Sequence, residues 1–445
     1  MPWSLEIHHI GLNNSGDATL IIAKDTPIPT LANPDPVPIT VRSALIDGGR
    51  FNHSPTVHEY LTNTAQIQQL DVMVATHYDA DHFNGLRALL LRNSNVYDNT
   101  FIFDQGEPGN IPAFNLGPYD ERLDHRPNRE NPYILYRDSI YSRGNRKRVT
   151  AFVDSNNTAG GNANWQPPNW LIGKEILWIG ANRYDIERNY DPNGNYNAGG
   201  VIFPPPQRNH GSWDVNGNPI DINRKALIPP GAPTIRCIAA NQYRQGNAAL
   251  VGAIGGTDES RKNNKSLIFL VQFNNFKYFI GGDAEQDQEN ALDTILNPTN
   301  DFAGRVHALK LSHHGAATST SPAFINRLKP CAVFISNGPQ NQFGHPHQAG
   351  INAIEAISVH NGMVNGLLNY YLTGESDLGA TVSRPAAAVL NANIAEVPGY
   401  PDGPVGGKHL KITVSHQQSN NSATSNNNFT VHWQDAGPVA QSRVH

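Results

Sequence analysis

The sequence THYDADHFNG, residues 76–85, concentrates four side chains of the kinds that bind metal ions. It follows an apolar run, LDVMVA at residues 70–75, that predicts a short buried strand, and it precedes GLRALLLRN, which predicts the start of a helix. A polar loop between a strand and a helix is where α/β enzymes commonly place reactive groups. Imidazole and carboxylate donors this close together suit two divalent ions, or one ion with supporting groups. The four residues are His77, Asp79, Asp81 and His82.

Three further groups of such residues follow apolar stretches later in the chain. Asp283 lies in IGGDAE, His313 and His314 lie in LKLSHHGA, and His345 and His347 lie in FGHPH. Each has a simpler reading when taken alone: an aspartate there can cap the following helix, and a histidine pair can lie on the surface or in the core. Four strands in series that each end in His or Asp instead predict a ring of metal ligands at one end of the sheets.

The 445 residues alternate between strand and helix patterns, which predicts a layered α/β core. Between residues 105 and 233, Pro, Gly, Asn, Arg and Trp crowd together, and we expect a loop-rich insertion there that serves as a lid or a substrate wall. On this division, residues 1–104 and 234–445 are the two halves of one fold. The second half ends in two strands, HLKITVS and NFTVHW, that we expect to form a hairpin.

The net charge and the cysteine count limit the binding partners and the cellular compartment that we expect. Lys plus Arg number 33 and Asp plus Glu number 38, so the net charge of −5 provides no global basic field for nucleic acid. The basic run RGNRKR, residues 143–148, is either a local contact for a phosphate backbone or a solvated surface loop. With only Cys237 and Cys331, the chain is not stapled by disulfides, and we expect a reducing compartment. No signal segment and no apolar run of about 20 residues is visible, so we expect a cytoplasmic protein without a membrane partner.

Together, these motifs resemble the metallo-β-lactamase-fold hydrolases, and within them the branch that contains the nuclease-like domain of the competence DNA-uptake protein ComEC. The resemblance covers most of the chain outside residues 105–233. Most of the superfamily has a second histidine at the position of Asp79. An aspartate at this position resembles the ComEC branch. The resemblance implies an α/β fold in the form of a four-layer αββα sandwich. The matching stretches are HIGLNNSGDATLII, LIDGG, THYDADHFNGL, NNKSLIFLV, FIGGDAEQDQE, LKLSHHGAATSTSPAF and FISNGPQNQFGHPH.

The same resemblance implies a centre of two divalent ions, Zn²⁺ or Mn²⁺. One ion would lie on His77 and Asp79, the other on Asp81 and His82, and Asp283 would bridge the two. His313 or His345 would complete the ligand shell. The metal ligands implied in this way are His77, Asp79, Asp81, His82, Asp283, His313 and His345.

Other positions receive supporting or catalytic roles from the resemblance. Asp81 would hold and orient the nucleophile, and a nearby histidine, His314 or else His313 or His345, would protonate the leaving group. The further histidine that the family carries near TIRCIAANQ is missing, because alanines stand there. Asp47 would orient a metal-binding histidine. Groups that would support the ligands or contact the substrate are Asp47, Asn264 and His347.

These assignments imply a metal-dependent hydrolase, with a phosphodiesterase or nuclease acting on DNA, RNA or a nucleotide as the leading hypothesis. Two adjacent ions can hold a hydroxide between them and neutralise the charge that develops on a phosphoryl oxygen. The same site also suits a small ester, thioester, lactone or lactam, because a fold does not decide its substrate. A third hypothesis is a protein whose metals are structural and whose 105–233 segment binds a partner.

Overall fold

The computed structural model contains two β-sheets packed face to face, with helices on both outer surfaces. The structure describes sixteen ranges of the chain. These are residues 3–12, 16–26, 37–106, 132–143, 146–151, 171–178, 213–214, 228–240, 243–244, 263–292, 306–337, 343–355, 369–373, 409–421, 428–434 and 440–444.

The strands of the described part follow the alternation expected from the sequence. They are β1 (Trp3–His9), β2 (Thr19–Asp25), β3 (Ile39–Ile46), β4 (Val72–Val74), β5 (Phe101–Asp104), β6 (Lys147–Thr150), β7 (Trp213–Asp214), β8 (Thr234–Ala240), β9 (Tyr243–Arg244), β10 (Ile268–Phe273), β11 (Phe276–Ile280), β12 (Ala308–Lys310), β13 (Ala332–Ile335), β14 (Asn369–Leu372), β15 (Leu410–Val414), β16 (Thr430–Gln434) and β17 (Ala440–Val444).

The described α-helices are short, and most of them follow strands. They are α1 (Ser54–Glu59), α2 (Ala80–Leu91), α3 (Pro132–Ile140), α4 (Gln286–Ala291), α5 (Pro322–Leu328), α6 (Gln348–Glu355) and α7 (His416–Ser419). None of them combines the length and the apolar character that a membrane crossing requires.

Each sheet contains a parallel half whose strands end at the same edge. The first sheet has the order β17-β16-β15-β1-β2-β3-β4-β5-β6-β7, and β3 to β6 are parallel neighbours. The second has the order β14-β13-β12-β11-β10-β8-β9, and β11 to β14 are parallel. Loops that leave the carboxyl ends of parallel strands gather at one edge, so this topology brings residues distant in sequence to one place.

Alternating side chains along the strands build three apolar layers. In β10, Phe269 and Val271 point into the core between the sheets, whereas Ile268 and Leu270 contact the helices of the outer surface. The helices α1 to α3 pack on the first sheet, and α4 to α6 pack on the second. Because every layer is buried on its inward side, the order is helix, sheet, sheet, helix, which confirms the expected αββα sandwich. The expected C-terminal hairpin is also confirmed, because β15 and β16 pair in antiparallel fashion.

Part of the 105–233 segment belongs to the first sheet. The helix α3 packs against α2, and β6 extends the sheet in parallel to β5. Much of the remaining segment, where we expect a lid or a substrate wall, lies outside the described residues.

Neither interpretation of the basic run RGNRKR holds for Arg146 and Arg148, because both side chains are fully buried. Arg146 donates hydrogen bonds to the backbone carbonyls of Leu90, Tyr97 and Ser139. Arg148 forms an ion pair with Asp104, with Nε 2.7 Å from Oδ2. A buried charge needs such partners, and these arginines are therefore occupied by the fold and do not present a surface for phosphate.

Candidate metal centre

The predicted ligands meet at the edge where parallel strands of both sheets end. His77 follows β4, Asp283 follows β11, and His313 and His314 follow β12. The helix α2 begins within the THYDADHFNG motif, with Asp79 at its N-cap and His82 in its first turn. The sandwich therefore delivers its ligand-type side chains to one pocket from two sheets.

Asp283 is the centre of this arrangement. Its Oδ2 lies 3.2 Å from Nε2 of His82, 3.6 Å from Nε2 of His77, 3.7 Å from Nε2 of His313 and 3.8 Å from Nε2 of His314. All four imidazoles thus turn the same nitrogen toward a single carboxylate. Asp283 is therefore the carboxylate that these four imidazoles share.

Asp79 and Asp81 border the centre on its more open side. Oδ2 of Asp79 is 3.9 Å from Nε2 of His77, and Oδ2 of Asp81 is 3.8 Å from Nε2 of His314. Their side chains are 18% and 14% exposed, whereas those of His77 and His82 are fully buried. These carboxylates are therefore the predicted ligands that a substrate would approach first.

Asp47 holds the motif from behind. Its Oδ1 accepts a hydrogen bond from the backbone N–H of Thr76 at 2.8 Å, and its Oδ2 accepts one from the Thr76 hydroxyl at 2.8 Å. The same Oδ2 lies 2.9 Å from Nδ1 of His82. An imidazole that donates through Nδ1 keeps Nε2 available for a metal, so this contact fixes the ring in the orientation that a ligand needs.

The adjacent histidines His313 and His314 face different surroundings. Nδ1 of His314 lies 2.8 Å from the carbonyl oxygen of Ser336, which directs its buried Nε2 into the centre. His313 is partly exposed, and its Nδ1 lies 3.6 Å from Oε1 of Glu285. By geometry, His314 has the position of a ligand, and His313 is the histidine with an acidic partner and access to solvent.

These two histidines lie in a strained loop. Their φ angles are 48° and 52°, in the left-handed region that costs a residue with a side chain about 1–3 kcal/mol. The start of α4 holds this loop, because the N–H of Gln286 donates to the carbonyl of Thr318 at 3.0 Å. Glu289 accepts a hydrogen bond from the N–H of Thr320 at 2.7 Å.

The remaining predicted residues lie around this core. The ring of His345 lies 5.3 Å from that of His313 and is stacked 5.7 Å from that of His314. His347 contacts the backbone through both nitrogens, with Nδ1 2.9 Å from the N–H nitrogen of Ala317 and Nε2 3.0 Å from the carbonyl of Phe343. His345 thus adjoins the centre, and His347 braces the neighbouring loops.

Asn264 is also a supporting residue by geometry. It is fully buried, and its Oδ1 accepts a hydrogen bond from the N–H of Glu285 at 3.0 Å. This bond ties the segment before β10 to the beginning of α4, next to Asp283. The contact concerns the protein backbone and not a substrate.

Sequence reasoning missed Asp17, Lys310 and Glu285 as parts of the site. Asp17 is buried and forms an ion pair with Lys310, and its ligand atoms lie within 4.8 Å of those of His82, Asp283 and His314. The Gly-Asp turn before β2 was a signal for Asp17. Lys310 gave no comparable signal, because a lysine on a short strand resembles any solvent-facing strand residue.

The carboxylates and imidazoles of the pocket shift one another's pKa values. Burial alone would raise the pKa of Asp283, but the surrounding imidazoles, led by His82, hold it well below its usual range. Burial would lower the pKa of His82, but the carboxylates of Asp283 and Asp47 raise it well above the usual value. The pocket therefore stabilises positive charge beside Asp283.

The donor set fits divalent metal ions. Nε2 of His314 and Oδ1 of Asp283 are buried, and neither has a hydrogen-bond partner among the described residues. Buried polar atoms without partners are costly, and a metal ion would satisfy both. Mixed imidazole and carboxylate ligands suit Zn²⁺ and also Mn²⁺.

Curated competence proteins match a limited stretch of this chain. The chain is 30% identical over 102 residues to ComE operon protein 3 of Bacillus subtilis (strain 168), which is 23% of this chain and 12% of that protein. It is 28% identical over 106 residues to Recombination protein 2 of Haemophilus influenzae, which is 23% of this chain and 13% of that protein. The matches thus span only about an eighth of the relatives' length. No protein-family model matches the chain.

Among solved structures, the metallo-β-lactamase fold protein YhfI from Bacillus subtilis aligns with a TM-score of 0.34 and 8% identity, over 83% of this chain and 95% of that chain. The layered architecture described above, the ligand motifs at its edge and the matches to competence proteins agree with one another. The chain thus has the αββα architecture of the metallo-β-lactamase fold, and about a quarter of its length is similar to competence proteins.

Proposed function

We propose that this protein is a metal-dependent phosphodiesterase that cleaves DNA, RNA or a nucleotide. The observation that carries the proposal is the convergence of four imidazole Nε2 atoms on one oxygen of Asp283, with two partly exposed carboxylates at the opening. One relative is named a recombination protein, which supports a nucleic-acid substrate.

The residues divide into two ligand sets that share Asp283. His77 and Asp79 would hold one ion, and His82, His314 and Asp81 the other. His313 lies close to Asp283 but belongs to neither set, and the first set lacks the family's usual extra histidine. When bound, two such ions would activate water at neutral pH and neutralise charge on a phosphoryl oxygen.

The protein's own groups would position the reaction and move its protons. Asp81, at the opening, would orient the attacking water. His313 is supported at Nδ1 by Glu285 and would donate a proton from Nε2 to the leaving oxygen. Asp47 would keep His82 from rotating. This gives the proton-donor role to His313, which sequence reasoning held open beside His314.

The net charge of −5 does not oppose a phosphodiester substrate at this place. Two divalent ions would bring four positive charges to the spot where the carboxylates are concentrated. Because Arg146 and Arg148 are buried, we expect the ions, and not a basic track along this run, to provide the main attraction for phosphate.

The test compares substrate classes on the Mn²⁺-loaded protein. We expect cleavage of bis-p-nitrophenyl phosphate and of DNA or RNA, and little turnover of nitrocefin or a simple lactone. Asp283→Asn should abolish the cleavage, whereas Asp287→Asn, which changes an exposed aspartate nearby, should not. Turnover of the carbonyl substrates alone would favour the ester, thioester, lactone or lactam alternative. Phosphodiester cleavage that survives Asp283→Asn would place the activity elsewhere.

A further inference from the structure

A buried ion pair crosses the sandwich directly beneath the candidate metal centre. Asp17 precedes β2 in the first sheet, and Lys310 ends β12 in the second. Each side chain is only 1% exposed, and the Lys310 ammonium contacts Oδ2 of Asp17. Nearby, Nε2 of His9 lies 2.7 Å from the hydroxyl of Tyr278, a second polar contact between the sheets.

Asp17 lies on the rear side of two of the histidines. Its Oδ2 is 3.7 Å from Nδ1 of His82, and its Oδ1 is 3.6 Å from Nδ1 of His314. Both rings turn Nε2 toward Asp283 instead. Nδ1 of each ring has a closer acceptor, Oδ2 of Asp47 for His82 and the carbonyl of Ser336 for His314. Asp17 therefore acts on both rings from the Nδ1 side through its charge, as a second outer group and not as a hydrogen-bond partner.

The backbone of Asp17 also joins the two loops that carry these groups. Its N–H donates to the carbonyl of Asp81 at 3.2 Å, and its carbonyl accepts from the N–H of Gly49 at 2.8 Å. Asp17 therefore contacts the HxDxDH segment, the loop that follows Asp47, and the ring of His314. A shift of Asp17, backbone and side chain together, would disturb all three.

An ion pair at this depth contributes little to stability by itself. Removing two charges from water costs about as much as their attraction returns, and an apolar pair of similar volume would often serve the fold as well. The effect of the pair should therefore be found in the neighbouring site. A carboxylate beside two imidazoles strengthens them as donors to a positive ion, and the ammonium keeps that carboxylate from turning toward the ions.

We propose that Asp17 and Lys310 are a positioning pair for the ion held by His82, His314 and Asp81. The negative charge of Asp17 supports both imidazoles from the Nδ1 side, and Lys310 anchors Asp17 and keeps it out of the ligand shell. This inference rests on the metal centre of the proposed function, and it adds two residues that bind neither metal nor substrate.

The test measures Mn²⁺ binding by calorimetry on the full chain. Asp17→Asn should weaken one of the two binding events by about 10–100-fold, the range for outer partners of metal ligands, and leave the other unchanged. Because this variant leaves the Lys310 ammonium unpaired, it should also unfold at a lower temperature. The double variant Asp17→Asn, Lys310→Met should recover the unfolding temperature but not the metal affinity.

Two controls separate this role from others. Arg42 on β3 forms an ion pair with Asp71, which directly precedes β4. Arg42→Met breaks this pair and should lower the unfolding temperature without changing metal binding. In the Co²⁺-loaded protein, Asp17→Asn at saturating metal should leave the visible absorption bands in place, because the ligands are unchanged.

Two results would overturn the inference. Wild-type metal affinity in Asp17→Asn, or in the double variant, would mean that the pair is only structural. A shift of the Co²⁺ bands would mean that Asp17 is itself a ligand. A wild-type protein that binds no metal would instead defeat the proposed function, so the two failures can be told apart.

Discussion

At the scale of single residues, histidines from similar motifs have different surroundings. His314 presents a buried Nε2 to the centre, whereas both nitrogens of His347 contact the backbone of adjacent loops. Tertiary contacts decide whether a histidine can bind a metal or instead contacts the backbone of adjacent loops. The motifs SHHG and GHPH do not reveal these contacts. The same limit applies to Arg146 and Arg148, whose partners lie in the first sheet and in the helices packed on it.

This difference predicts contrasting variants. His314→Ala should lower Mn²⁺ affinity by more than about 100-fold, because it removes a ligand and not an outer partner. His347→Ala should bind metal as the wild type does and lose about 1–2 kcal/mol of stability with its hydrogen bonds. Calorimetric titration and thermal unfolding of both variants provide the check. Equal loss of metal affinity in the two would contradict the assignment.

Among the secondary-structure elements, the motif helix α2 is pressed closely against the loop after β3. A Cβ on Gly85 would lie 1.7 Å from the carbonyl oxygen of Gly48, a distance that backbone atoms cannot accommodate. The N–H of Gly85 also donates to the carbonyl of Gly49 at 2.7 Å. Gly85, three residues after His82, therefore sets how closely α2 approaches the loop that carries Asp47.

We expect Gly85→Ala to separate these two elements. It should destabilise the protein by about 3 kcal/mol or more through overpacking, and weaken metal binding at the same time. Gly231→Ala is the matched control: φ is +73° there but nothing lies within 4 Å of the added Cβ, so only the backbone cost of about 1 kcal/mol applies. Denaturant unfolding of both variants tests this, and similar losses would argue against the close contact.

The contact between α4 and the loop after His314 predicts that the free energy of unfolding depends on pH. Burial raises the pKa of Glu289 to about 7, although nearby polar groups of Ser312, Thr320 and Ser321 lower it. Because the folded-state pKa lies above the unfolded value, the folded state holds the proton more tightly. This contribution to stability is complete below about pH 4.5 and is lost as pH rises through about 7.

Glu289→Gln should remove that dependence while keeping an acceptor for the N–H of Thr320. We expect the variant to be more stable than the wild type at pH 8, by up to about 3 kcal/mol, and the two to converge toward pH 5. The free energy of unfolding measured across this range decides the point. Curves that stay parallel from pH 5 to pH 8 would show that Glu289 does not titrate in this way.

For the whole molecule, the sequence predicted the architecture better than the connections across it. Apolar strands that end in His or Asp revealed the edge at which the site lies, because strand ends and ligand motifs are local in sequence. The Asp17–Lys310 pair joins opposite sheets, and α3 and β6 join the first sheet from inside the segment taken as an insertion. Such pairings depend on how the layers pack and have no local pattern.

The central claim is that this fold gathers its imidazoles and carboxylates to hold divalent metal. The most direct test is the metal content of protein purified without chelators and then equilibrated with Mn²⁺ or Zn²⁺, measured by plasma mass spectrometry. We predict close to two ions per chain, and near loss of both in Asp283→Asn. A wild-type protein that holds no metal after both treatments would contradict the account.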